Sequence, residues 1–75
     1  NGELRQDSTT DLMIFHVPYV IAELSQGMTL RPGTIISMGT PAGVGMGFDP
    51  PEWLHPGDVV ACSIEGIGTL TNTVR

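Results

Sequence analysis

The stretch Gly39-Thr40-Pro41-Ala42-Gly43-Val44-Gly45 constrains the possible folds of this chain more than any other. It cuts off the apolar run Thr34-Ile35-Ile36-Ser37-Met38 with three glycines and a proline. Such a sequence cannot continue as a helix or a central strand. One hydroxyl, that of Thr40, lies within it, next to Gly39. A strand that stops in a glycine-rich turn can present backbone N–H groups and one hydroxyl to a ligand. The plain alternative, on spacing alone, is a loop tip.

Turn chemistry organises the rest. Leu30-Arg31-Pro32-Gly33-Thr34-Ile35-Ile36-Ser37 and Leu54-His55-Pro56-Gly57-Asp58-Val59-Val60-Ala61 repeat one pattern: leucine, a variable residue, Pro-Gly, then a run rich in β-branched residues. Proline at the second and glycine at the third turn position is the type II signature, so each copy should turn the chain sharply into a strand. Pro18 suits the first turn of a helix, and Val20, Ile21, Leu24 and Met28 then recur at one-turn spacing. This predicts one amphipathic helix of about ten residues, with Gly27 as a stop and its apolar stripe in the core. Residues 3–6, 34–38, 59–64 and 67–74 read as strands, the last two as a hairpin about Glu65-Gly66. The fold class expected is α+β, mainly β. Asn1-Gly2 is a hairpin-turn pair that wants a strand on both sides, so the chain is expected to be the C-terminal portion of something larger; an isolated fold with a frayed end is the alternative.

Seventy-five residues allow at most one small domain, and such a chain buries only about 60% of its unfolded surface. A lone cysteine, Cys62, rules out an internal disulfide and reads as a small buried hydrophobe in a reducing compartment. The net charge is −5 with three arginines and no lysine, so neither nucleic acid nor a membrane surface is expected as a partner. No Schiff-base or lysine-base chemistry can come from these residues. No apolar run approaches a membrane span and no signal peptide opens the sequence, which leaves a cytoplasmic protein as the expectation.

The familiar chemical signatures are missing: no phosphate-binding loop with its lysine, no zinc-binding helix motif, no serine elbow. His16 and His55 sit beside prolines and read as solvated loop histidines, and the eight carboxylates are scattered with no acid/base pair. Arg5 could grip an anionic substrate, although a surface arginine is the commoner outcome. Residues 46–53, with Pro50-Pro51 between Phe48 and Trp53, could be a flap over the glycine loop or a surface loop pinned by its aromatics.

The glycine loop, set between an apolar strand and Pro56-Gly57-Asp58-Val59-Val60, closely resembles the C-terminal part of the fumarylacetoacetate hydrolase family. Asn1-Gly2-Glu3-Leu4-Arg5-Gln6 with Ser8 and Thr9, Met13-Ile14-Phe15, Leu24-Ser25, Met28-Thr29-Leu30, Pro32-Gly33 and Ile64-Glu65-Gly66-Ile67-Gly68 agree in order and spacing. Pro50-Pro51-Glu52-Trp53-Leu54 is similar to the domain-containing protein 2 type of the family. The resemblance implies that residues 1–75 are the C-terminal portion of one catalytic domain, part of a mixed β-roll or β-sandwich. It further implies a homodimeric enzyme, dependent on Mg2+ (or Mn2+ or Ca2+), that hydrolyses, decarboxylates or isomerises 2-oxo or enol diacids. Carried over by position, Gly39 and Thr40 match a substrate-binding site, Thr40 as its catalytic contact; the metal ligands would lie upstream of Asn1. Met38 stands where a hydroxyl residue is frequent, and Ala61 where some hydrolytic members carry glutamate, which leaves the reaction type open. A non-catalytic structural or interaction β-module is the rival reading.

Overall fold

In the computed structural model, which describes residues 1–75, the elements run 3-10 helix Thr10–Leu12, α1 Val17–Ser25, 3-10 helix Gly45–Gly47, β1 Val59–Ile64 and β2 Gly68–Thr73. The α+β class stands in this small form, one helix and one two-stranded antiparallel sheet. The chain divides into two units, Asn1–Gln6 with Ala42–Arg75 and Asp7–Pro41.

The first unit holds the hairpin. Val59 faces Thr73, Ala61 faces Thr71 and Ser63 faces Thr69, where the two hydroxyls hydrogen-bond at 2.7 Å. Gly66, at φ 76, completes the turn that the Ile67 N–H closes on the Ile64 carbonyl. At the other end the chain enters β1 through the Pro56-Gly57 turn, closed by the Asp58 N–H on the His55 carbonyl at 3.0 Å. The Gly57 N–H then donates to the Val74 carbonyl, and the Val74 N–H to the Asp58 carbonyl. Two residues thus oppose one, the glycine bulge that the left-handed φ of 96 at Gly57 makes possible.

In the second unit, α1 starts with Pro18 in its first turn, and Phe15 stacks on Tyr19 with ring centroids 5.1 Å apart. The helix stops at Ser25, where the Ser25 hydroxyl turns back to the Ala22 carbonyl. The apolar residues Met13, Val20, Leu24, Leu30 and Ile36 are half-buried. Pro32-Gly33 makes the expected turn, with Gly33 at φ 88 and the Thr34 N–H on the Arg31 carbonyl.

Three expectations are corrected. Residues 3–6 and 34–38 form no strand, because a strand exists only through a partner's ladder and neither segment has one here. The helix stripe forms no buried core: Ile21 and Met28 are exposed, and no residue of the chain is fully buried. Cys62 is exposed, since its face of the hairpin, shared with Ile64 and Leu70, has nothing packed over it.

Candidate functional site

Gly39 lies at φ 93, a left-handed conformation that L side chains rarely adopt, and open space surrounds the position of its missing Cβ. The glycine is therefore required by backbone conformation and not by crowding. Thr40 follows immediately and is exposed, with Pro41 fixing the chain direction after it. The two residues predicted for substrate contact are consecutive and exposed, at the end of the irregular segment that follows the Pro32-Gly33 turn.

Beyond Ala42 the loop behaves differently. Gly43, at φ 104, passes so close to the Arg5 carbonyl that a Cβ would overlap it, and a Cβ at Gly45 would overlap the Glu52 carbonyl. Both glycines are therefore required by space. The Glu52 N–H donates to the Gly45 carbonyl at 2.9 Å and the Gly47 N–H to that of Val44 at 2.9 Å, folding residues 45–52 back on themselves. Gly43, Val44, Gly47 and Phe48 line a shallow cleft of about 270 Å³.

The Arg5 guanidinium pairs with the Glu52 carboxylate, lies 5.6 Å from the centre of the Phe48 ring, and has Glu3 at 3.6 Å. The hydrogen bond to Glu52 is the main cause that holds Arg5 above its usual pKa, and the charges of Glu3, Glu52 and Asp58 add to it. Arg5 is thus neutralised within the chain and is not waiting for an anion. Of the two readings of residues 46–53, pinning by aromatics gains Phe48, while Trp53 stays 60% exposed. Sequence reasoning missed the Arg5–Glu52 pair, whose partners are 47 residues apart. Phe48 and Glu52 flank Pro50-Pro51, but Arg5 lies far from them in sequence, so no local signal pointed to the pair.

A second polar cluster fixes the entry to β1. The Asp58 carboxylate accepts the His55 N–H at 2.8 Å and the Asn1 side-chain amide at 2.9 Å. These bonds, the His55 one foremost, hold its pKa below the usual carboxylate value. His55 is less isolated than its sequence suggests, with Nδ1 3.9 Å from Asp58.

Glu3 and Glu52 are engaged with Arg5, Asp11 accepts from Thr9, and Asp58 is engaged as described. No group of three or more histidines, cysteines or carboxylates could hold a metal ion. These residues do not fit a divalent-metal site. No helix is long and apolar enough to cross a membrane.

The family described as fumarylacetoacetate (FAA) hydrolase C-terminal matches residues 1–75. Oxaloacetate tautomerase YisK of Bacillus subtilis is 53% identical over 74 residues, 99% of this chain and 25% of that protein. An uncharacterised protein of Staphylococcus saprophyticus is 49% identical, and one of Staphylococcus aureus 50%, each over the same shares. The chain spans about a quarter of the length of these curated relatives. No solved structure matches it. A match from the first residue to the last, at this identity, makes the chain a member of the fumarylacetoacetate hydrolase family, within its C-terminal region.

Proposed function

We propose that these residues form the substrate-facing wall of a larger cytoplasmic, homodimeric enzyme acting on 2-oxo or enol diacids, with Thr40 as the polar contact. The observation that carries this reading is the end-to-end family match, which includes a relative named for oxaloacetate tautomerisation. It favours isomerisation, a proton shift next to a carbonyl, over hydrolysis or decarboxylation. Ala61, where some hydrolytic members have glutamate, points the same way. The exposed apolar faces suit a segment that completes its β-roll against the rest of such a protein. Pro50-Pro51-Glu52-Trp53-Leu54 supports the domain-containing protein 2 type.

In this reading the Thr40 hydroxyl donates to the substrate oxygen that gains negative charge as the enolate develops. A donor already aimed at that oxygen stabilises the transition state more than the ground state. Gly39 contributes only its conformation, which turns the chain so that the hydroxyl is presented. A divalent ion would be held by residues outside this chain, in which no group of three or more histidines, cysteines or carboxylates could hold one.

The test is Thr40→Ala in the full-length protein, assayed for oxaloacetate tautomerisation. A loss of about 2–3 kcal/mol of transition-state stabilisation is expected. Mg2+ affinity, measured by titration, should barely change. Undiminished turnover by the variant removes Thr40 from the site.

A further inference from the structure

Asn1 precedes a glycine, and both ends of its side-chain amide are held. Its Oδ1 accepts the Val59 N–H at 2.8 Å, and its Nδ2 donates to the Asp58 carboxylate at 2.9 Å. The backbone nitrogen of Asn1 adds a bond to the Val59 carbonyl at 2.7 Å. Gly2, at φ 80, has nothing within 4 Å of the place a Cβ would take, so neither a side chain nor a neighbour crowds the peptide after Asn1. All four residues belong to one unit of the chain. We propose that Asn1-Gly2 is a deamidation site held closed by its bonds to Val59 and Asp58, and that conversion of Asn1 to aspartate releases this residue from the edge of β1.

An asparagine deamidates when the backbone nitrogen of the next residue, its proton lost to solvent, attacks the side-chain Cγ. The Cγ–Nδ2 bond breaks, ammonia leaves with a proton from water, and a five-membered succinimide remains. Water then opens the ring at either carbonyl to give aspartate or isoaspartate, with nothing oxidised or reduced. Asparagine is among the thermally labile residues, and a following glycine helps the ring to close because it has no Cβ and the widest backbone freedom. The bonds to β1 oppose this. Closure draws Cγ towards the Gly2 nitrogen and expels Nδ2, so the side chain must first leave Val59 and Asp58. One of those bonds ends on a carboxylate, and hydrogen bonds to charged groups are the stronger kind. The rate is then set by the fraction of time that this contact is open. The product does not fit back. Aspartate has no N–H to offer, and it sets two carboxylates against each other where an amide met one. Asp58 loses one of the bonds that hold its pKa low. Isoaspartate lengthens the backbone by one carbon as well.

The experiment uses the full-length protein and follows the loss of the Asn1 amide by peptide mapping and mass spectrometry during incubation at neutral pH. Folded wild type should deamidate about tenfold or more slowly than the same protein in urea. Asp58→Ala should speed the reaction in the folded protein by about tenfold. Asp58→Asn, which keeps an acceptor without the charge, should fall between the two, and it decides the matter alone if Asp58→Ala does not fold. Asn1→Asp, the direct product, should speed hydrogen exchange at the Val59 amide by about tenfold and raise the Asp58 pKa in an NMR titration. A folded rate equal to that in urea, or Asp58 variants no faster than wild type, overturns the protection. Unchanged Val59 exchange and Asp58 titration in Asn1→Asp overturns the release.

Discussion

The two Pro-Gly turns begin identically and end differently. Each is closed by the fourth residue's N–H on the first residue's carbonyl, with its glycine in the left-handed region. In each the fourth side chain also returns to the first residue's N–H, Thr34 to Arg31 at 3.1 Å and Asp58 to His55 at 2.8 Å. Past that point, residues 59–64 become β1, whereas residues 34–38 form no strand, with Ile35 93% exposed. The difference is not in the turn. Ile64 is followed at once by a hairpin that delivers a partner strand, and Met38 by the glycine loop, which delivers none. A turn's geometry is local chemistry; whether a strand follows depends on what arrives beside it.

The sharpest way to break this comparison is to ask whether residues 34–38 find a partner in the full-length protein. If they lie in a completed β-roll, as proposed, Ile35→Ala should destabilise the full-length protein by about 2–4 kcal/mol in chemical denaturation. A change below about 0.5 kcal/mol means Ile35 stays uncovered there too. The next effect separates the glycines. Gly57→Ala forces a side chain into the left-handed region and disrupts the bulge that starts β1, for a loss of about 2 kcal/mol. Gly33→Ala pays only for the conformation, about 1 kcal/mol. Equal losses at both sites would show that the bulge adds nothing.

The smallest effect is electrostatic and belongs to one turn alone. Asp58 carries a charge where Thr34 has a hydroxyl, and its pKa is lowered by the His55 N–H and the Asn1 amide. A carboxylate whose folded value lies below its unfolded one adds stability above about pH 4, and that contribution disappears as pH falls through the folded value. Titration of the Asp58 carboxyl by NMR should show the lowered value, and Asn1→Ala should move it partway back. A titration at the ordinary carboxylate value in the wild type would remove the second turn's acid sensitivity.

What could be read from the sequence follows the same division. Both turns, the boundaries of β1 and the proline-started helix depend on neighbouring residues, and each appears where its pattern puts it. The supposed strands at residues 3–6 and 34–38, the buried stripe of α1 and the buried Cys62 all depend on surfaces that must arrive from elsewhere. Val59 to Ile64 alternate as a strand should, yet alternation cannot say which face is covered. At the candidate site, the composition of the glycine loop singled out the Thr40 hydroxyl and the resemblance gave it a substrate; the glycine frame accounts for the backbone there, not for what the hydroxyl meets. The Arg5–Glu52 pair was illegible for a simpler reason. Its partners are brought together by the whole path of the chain, and no spacing rule connects positions 5 and 52.

Asn1 has a consequence for the outer edge of the hairpin. Its amino group donates to the Val59 carbonyl at 2.7 Å, and its side-chain oxygen accepts the Val59 N–H at 2.8 Å. One asparagine thus imitates a single peptide unit of a neighbouring strand, on the side of β1 that β2 does not occupy. The next peptide groups facing that way are those of Ala61 and Ser63. The backbone nitrogen and side-chain oxygen of Asn1 occupy the Val59 position of this edge, so a strand that pairs with β1 there has Ala61 and Ser63 left to bond.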